Sequence, residues 1–385
     1  MKVKCISLSI IAILVYCVVS YYGGLRIFQS FSRVPGWTTI YLFIYVLLTV
    51  AYPLGRMGAV LAPSSLSDTL IRVGAAWLGM IFYLTLFWLC ADLAVLLGKM
   101  IGIFSSAERA ATAGVGSVVV IAAGCLTGYG LVQARRIRLQ RYVLTIPKEC
   151  SLPSLHIVMV SDLHLGLMIG RNRLAKLVQM INELKPDIIV LPGDILDETV
   201  GAVIETEMPA FLRQLQAPLG VYGCLGSHEY ILGRPERALQ LLQQAGVTIL
   251  QDQCVCIGNS FYLAGRDDKL RKMLTGTERK ALADVLADCN RAFPILLLDH
   301  QPKELEEAQR NHVDLQLSGH THQGQLFPVG LLTKWMYTID WGYWRKGTYQ
   351  LIVSSGVGTY GPPVRVGTTA EVVSIRVRFG LPADT

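Results

Sequence analysis

Carboxylates are nearly missing from the first third of this chain: residues 1–134 hold Asp68, Asp92 and Glu108 and no other acidic residue. So little charge over so long a stretch excludes an ordinary water-exposed domain there. Nine cysteines are present, an odd number without regular spacing, which excludes a disulfide framework and reads as free thiols in a reducing compartment. Cys254-x-Cys256 lies in an apolar run and reads as packing. No basic stripe with interleaved aromatics occurs in the last 240 or so residues, which excludes nucleic acid as the main partner. Neither an internal repeat nor a low-complexity segment is found, so a solenoid or a long disordered tail is excluded as well.

What is present divides the chain in two. Apolar residues make up 52% and the mean hydropathy is +0.43, with the excess concentrated at the start. Stretches at about 5–22, 37–54, 73–97 and 111–132 are long enough, or nearly so, to cross a hydrocarbon core, which takes about 20 residues of helix. Lys2 and Lys4 precede the first stretch, but no A-x-A cleavage site follows it, so it reads as a span and not a signal peptide. The expected organisation is a transmembrane region over 1–134, a basic juxtamembrane linker over 135–150 and a globular domain over 151–385. Residues 1–141 carry 12 Lys and Arg against three acidic residues, whereas the remainder carries 23 against 25.

Basic residues also orient the spans. With the N-terminus inside, Lys2, Lys4, Arg56, Arg72, Arg135, Arg136, Arg138 and Arg141 collect on the inner face, against Arg26, Arg33, Lys99 and Arg109 outside. That excess implies a multi-pass inner-membrane protein with its globular domain in the cytoplasm. Arg135–Arg141 reads as a stop-transfer cluster or, alternatively, as a cluster that holds anionic headgroups. Gly124-x-x-x-Gly128 is a weak signal for helix packing, and Asp92 stands near the end of the third stretch as a snorkelling or functional carboxylate.

From residue 155 onward, strand-like and helix-like segments alternate. Apolar runs at 155–160, 187–191, 220–225, 294–298 and 313–317 read as buried strands. Further strands are expected at 247–250, 254–257, 261–264, 350–353 and 372–377. The segments 171–185, 235–245 and 277–289 have the one-faced apolar spacing of amphipathic helices. Alternating units imply an α/β fold with parallel strands, whose ligands gather at the strands' carboxyl ends.

Five short motifs sit at those ends: Asp162-Leu163-His164, Gly193-Asp194, Gly226-Ser227-His228-Glu229, Asp299-His300 and Gly319-His320-Thr321-His322. They hold five of the seven histidines. In extended chain, residues i and i+2 point the same way, so Asp162/His164 and His320/His322 can each face one cation. Carboxylate and imidazole together suit Mn, Fe, Zn and similar ions, not a thiolate zinc site. The neighbouring glycines fit turns in which backbone approaches a ligand closely.

In this order the motifs resemble the calcineurin-like metallophosphoesterase superfamily, whose pattern D-x-H, G-D, G-N-H-[DE], H and G-H-x-H runs across 155–322. The tail from Val353-Ser354-Ser355-Gly356-Val357-Gly358-Thr359 to Pro362-Pro363-Val364-Arg365 is similar to its bacterial membrane-associated branch. The resemblance implies an α/β fold: a two-sheet β-sandwich flanked by helices, following the four-helix transmembrane region. It implies two divalent metal ions, with Asp162, His164 and His322 on one, His300 and His320 on the other, and Asp194 bridging. His228 is then the residue that contacts phosphate and protonates the leaving group. Beside the resemblance, Arg365 reads either as a bidentate ligand of substrate phosphate or as a structural ion pair. Asp197 either assists the site or caps the following segment. Glu229 reads as a supporting partner, and Asp267 and Asp268 as turn residues.

One position departs from that pattern. Ser227 stands where the family has an asparagine ligand, so the second metal is expected to bind more weakly. The implied activity is hydrolysis of a phosphoester or pyrophosphate bond by a metal-activated hydroxide. The membrane anchor points to a lipid-linked or nucleotide-activated lipid substrate, and membrane lipids are expected partners. The alternative is a non-catalytic membrane protein that binds phosphate ligands or partners through a degenerate metal site. The sequence does not specify an oligomeric state.

Overall fold

The computed structural model describes every residue except Met1, 33–35, 106–109, 198–207, 232–234 and 381–385, and the side chains of 2–9. Arg33, Glu108 and Arg109 thus lie outside the described residues. The chain forms two compact units, one of Met1–Gln133 with Gly361–Val364 and one of Ala134–Tyr360 with Arg365–Thr385.

The first unit carries four helices long and apolar enough to cross a membrane: α1 (Lys2–Phe31), α2 (Trp37–Leu61), α3 (Ser65–Met100) and α4 (Ala113–Gln133). Each outruns or matches the apolar stretch that announces it, because helix continues through flanking polar turns; α3 alone has 36 residues. Gly124 and Gly128 do not mediate a close helix crossing, since a Cβ at Gly128 would meet nothing within 4 Å. Close packing falls instead at Gly55 and Gly74, where a side chain would strike the backbone of Ile71 and Tyr52 across the α2–α3 contact. Asp92 is neither isolated nor snorkelled: Tyr22 and Arg26 of α1 both donate to its Oδ2, the tyrosine at 2.5 Å, which ties α1 to α3.

In the second unit, two six-stranded sheets stack face to face. One has the order β1 (Ile137–Ile146), β12 (Ala370–Phe379), β2 (Ser154–Met159), β3 (Ile188–Pro192), β4 (Val221–Cys224), β5 (Thr248–Ile249). The other has the order β10 (Gly342–Lys346), β11 (Tyr349–Val353), β9 (Leu315–Ser318), β8 (Ile295–Leu298), β7 (Phe261–Gly265), β6 (Gln253–Ile257). Strands β2 to β5 run parallel, as do β7, β8, β9 and β11; β12 runs antiparallel to β2, β10 to β11 and β6 to β7.

Strand alternation builds the layers. Ile157 and Met159 of β2 point between the sheets toward Phe261, Leu296, Leu317 and Ile352. Val158 points outward, into a core with Leu174, Leu177 and Ile181 of α5 (Arg171–Glu183). On the far side, Leu297 and Leu351 pack against Leu282 and Leu305. The result is a helix–sheet–sheet–helix sandwich with a dry inter-sheet core.

Two expectations are corrected here. Part of the segment expected as a linker is β1, paired in parallel along its whole length with β12. Its arginines obscure an alternation in which Leu144 and Ile146 turn inward, and they leave the sheet with a charged edge strand. The helix expected over 277–289 is only a short turn at Leu282–Val285, because the apolar residues there cap the second sheet from irregular backbone. Cys254 faces Cys289 across this layer, with the sulfurs 2.9 Å apart.

Candidate metal centre

Each motif emerges where a buried strand stops. Asp162 and His164 follow β2, Asp194 follows β3, and Ser227 and His228 begin the short helix α6 (Ser227–Ile231) after β4. His300 follows β8 and His320 and His322 follow β9, so both sheets deliver side chains to one end of the sandwich.

Three groups of ligand atoms each fall within 4.8 Å of one another: Asp162, His164 and His322; His164, Asp194 and His228; Asp194, His300 and His320. Asp194 belongs to two of them, with Oδ2 3.1 Å from His300 Nε2 and 3.9 Å from His164 Nε2. His322 Nε2 lies 3.1 Å from His164 Nε2 and 3.4 Å from Asp162 Oδ1. His320 Nδ1 lies 3.2 Å from His300 Nε2. The six Asp and His residues expected as metal ligands therefore converge.

The local backbone differs from the expected extended pairs. Asp162, His164, Asp194, His320 and His322 all have φ between 45° and 73°, in the left-handed region. Non-glycine residues held there store strain, and such strain concentrates at functional sites. Neighbouring backbone pins them: Asp162 accepts from the His320 amide at 2.9 Å, and the His164 amide donates to the Asp194 carbonyl at 3.0 Å. A side chain on Gly226 would collide with Asp194, and one on Gly319 with Asp162.

The donor set suits hard-to-borderline divalent cations. Burial pushes the His164 and His320 imidazoles down to about 3 and holds His322 well below its ordinary value, so all three are neutral lone-pair donors. His300 Nδ1 is 3.0 Å from the Pro192 carbonyl, which can only accept, so Nδ1 bears a proton and Nε2 faces the site. Burial alone would lower His300 and raise Asp194. Their mutual attraction overrides it in both, and cation binding there would release the shared proton. Two pairs of imidazole nitrogens at 3.1–3.2 Å, flanked by buried carboxylates, fit cations placed between them.

Ser227 is buried beside the shared carboxylate, its Oγ 3.3–3.4 Å from the two Asp194 oxygens. His228 is buried, donates its amide to Asp194 Oδ1 at 2.8 Å and stands edge-on to His164 with ring centroids 4.5 Å apart. Its Nδ1 lies 3.9 Å from Asp197 Oδ1, which favours the assisting role for that aspartate over the capping one. Arg365 is not at the open side of the site. It is fully buried, its Nη2 donating to the carbonyls of Ser355, Gly356 and Gly358 at 2.6–3.0 Å and lying 3.3 Å from His322 Nδ1. A guanidinium so engaged holds the loop that backs Asp162 and is not free to grip a phosphate.

Glu229 has the supporting place expected of it, whereas the burial of Asp267 and Asp268 and the presence of Tyr360 were not expected. Glu229 accepts four backbone N–H groups, from Asp194, Ile195, Leu196 and Gly226. Asp267 and Asp268 are buried, Asp268 accepting from Gln301 next to His300 at 3.0–3.1 Å. Tyr360 meets the His228 ring edge-on at 5.1 Å. A carboxylate one position after a catalytic-type histidine was the available signal for the first; an isolated tyrosine offered none.

Comparison with known proteins agrees with this geometry. The calcineurin-like phosphoesterase family matches residues 155–324. A transmembrane protein with metallophosphoesterase domain from Danio rerio is 34% identical over 296 residues, covering 72% of this chain and 67% of that protein. A metallophosphoesterase from Aquifex aeolicus (strain VF5) is 33% identical over 256 residues, covering 66% of this chain and 96% of its own length. Another, from Helicobacter pylori (strain 26695), is 33% identical over 225 residues, with 58% and 60% covered.

Proposed function

This chain belongs to the calcineurin-like phosphoesterase family, and on that premise we propose that it is a membrane-anchored hydrolase of phosphoester or pyrophosphate bonds in a lipid-linked or nucleotide-activated lipid substrate. The observation that carries the reading is Asp194, one carboxylate that falls in a cluster with His164 and His228 and in a second with His300 and His320, drawn from both sheets. Divalent cations bound there supply Lewis acidity toward phosphoryl oxygens and lower the pKa of bound water toward ~7.

The protein's own groups divide the remaining work. Asp162, His164 and His322 form one half of the cage and His300 and His320 the other, with Asp194 between them. Burial at the strand ends excludes bulk water from all but the His320 side. His228, set at the edge of the cage and backed by Asp197, is placed to give a proton to a leaving alkoxide or phosphate. The excess of basic residues on one side of the spans supports a cytoplasmic domain, which a reporter fused to the C-terminus tests.

The full chain, purified in nanodiscs, is expected to hydrolyse bis-p-nitrophenyl phosphate with added Mn and to stop when EDTA is added. His228→Ala is expected to lower turnover by about 10²–10⁴-fold while metal content, read by elemental analysis, stays unchanged. Folded protein that binds metal but never turns over would favour the non-catalytic binder. Ser227 motivates a separate prediction. Its hydroxyl is a short, neutral donor, so Ser227→Asn is expected to tighten the weaker cation, seen by calorimetry as a lower Kd at the second site. An unchanged second Kd would mean that residue 227 does not reach the cation.

A further inference from the structure

A short helix beside the metal centre keeps its apolar face turned away from the protein. α7 (Pro235–Gln244), α8 (Leu270–Thr275), α9 (Leu282–Val285) and α10 (Leu305–Arg310) all bury apolar residues or cap a core, apart from α8, whose residues stay unburied. α11 (Val329–Met336) is also without a buried residue, yet it is the more apolar of the two. Leu331, Leu332, Trp335 and Met336 are 61%, 52%, 83% and 57% exposed. Their spacing of i, i+1, i+4 and i+5 puts them on one strip, which Phe327 extends at 54% exposure.

The inward face of α11 is made of small and polar groups. Gly330 lies against the backbone of Gln323 and Gly324, and Thr333 Oγ1 donates to Asp340 Oδ2 at 2.7 Å. Thr321, between His320 and His322, donates to the Asp340 carbonyl at 2.5 Å. Tyr337, immediately after the helix, has its ring 6.4 Å from that of His320. The helix is thus clamped to the turn that carries two of the metal ligands, with its apolar strip left over.

An exposed apolar strip of this size marks an interaction surface, and the chain itself indicates the partner. Four spans hold the protein in a bilayer, and only Ala134–Arg136 separate the end of α4 from the start of β1. Between residues 327 and 348 the charged side chains are Lys334, Arg345 and Lys346, all exposed, and Asp340, which is buried. Trp335, Trp341 and Tyr343 add the aromatic residues that favour the headgroup level. Apolar strip, interfacial aromatics and basic flank together are the composition of a helix lying in a membrane surface.

We propose that α11 and Phe327 dock into the lipid surface, with the basic side chains among anionic headgroup phosphates, and so present the metal centre to substrates held in the membrane. Docking stands on the geometry of α11; delivery of substrate rests on the hydrolase reading. The test uses the full chain in phosphatidylcholine–phosphatidylglycerol nanodiscs, with and without brominated acyl chains. Subtracting the emission of Trp335→Phe from that of the wild type isolates Trp335. Bromolipid is expected to quench this component by half or more, and aqueous acrylamide to leave it largely intact. Quenching by acrylamide alone would show the strip in water, and quenching by neither would show it covered by protein; either result overturns the proposal.

A second arm separates docking from chemistry. The triple variant Leu331→Glu, Leu332→Glu, Trp335→Glu is expected to hydrolyse bis-p-nitrophenyl phosphate at the wild-type rate. Its KM for hexadecyl p-nitrophenyl phosphate in the same nanodiscs is expected to rise by about 10-fold or more. Equal KM values for the variant and the wild type would remove α11 from substrate delivery. If the wild type cleaves neither probe, the hydrolase reading fails while the quenching result still decides docking.

Discussion

Asp194→Asn is expected to cost the protein both cations and its activity together. The carboxylate reaches His300 Nε2 at 3.1 Å with one oxygen and accepts the His228 amide at 2.8 Å with the other. Asparagine has nearly the same shape but one acceptor oxygen and no charge. Whichever way it turns, its NH₂ group faces either a donor N–H or the cation. Loss of even an outer partner of a metal ligand costs about 10–100-fold in affinity or activity, so loss of a shared ligand should exceed about 100-fold. Elemental analysis should find well under one metal ion per chain, and hydrolysis of bis-p-nitrophenyl phosphate should fall by at least that factor. Full metal content in folded Asp194→Asn protein would mean that Asp194 does not join the two halves of the cage.

Glu229→Gln should damage stability and metal binding at once, although Glu229 touches no cation position. Its Oε1 accepts from Ile195 and Leu196 at 2.7 and 2.9 Å, and its Oε2 from Asp194 and Gly226 at 3.2 and 2.7 Å. The side chain is fully buried, so nothing else can take these donors. A glutamine amide keeps one oxygen and sets an NH₂ group against two N–H donors. Each buried donor left unpaired costs about 1–3 kcal/mol, so about 2–6 kcal/mol is at stake. That is a large share of the 5–15 kcal/mol typical of a folded domain. At about 2–4 °C per kcal/mol for a unit of this size, the melting transition of the metal-loaded chain should drop by roughly 5–20 °C. A shift under about 2 °C would show that the turns after β3 and β4 hold themselves.

These two residues differ in how legible they are. Asp194 follows a glycine at the end of an apolar run and belongs to a series of similar motifs, so it can be picked out as a candidate ligand from the amino-acid order, and the family resemblance adds its bridging role. Glu229 can be read there only as a supporting partner. Its four donors come from two turns more than 30 residues apart, which are brought together by the parallel pairing of β3 with β4. Arg365 was open to two readings from sequence, phosphate ligand or structural partner, and burial decides for the structural one by committing it to carbonyls. The basic residues of β1 do mislead, since charge density suggests a linker and only the partner strand β12 shows that residues 137–146 complete a sheet. Any soluble fragment of the domain must therefore begin before Ile137.

Local chemistry was enough to mark the four apolar helices, most of the strands that end at the site, and the Asp and His residues that could hold a cation. Hydrophobic length, strand alternation and the proton and lone-pair chemistry of Asp and His are properties of short segments, and they persist whatever the rest of the chain does. Tertiary structure alone decided the left-handed backbone at five candidate ligand positions, the burial of Arg365 and the outward face of α11. Each of these depends on which distant segment lies alongside, and no window of sequence contains that neighbour.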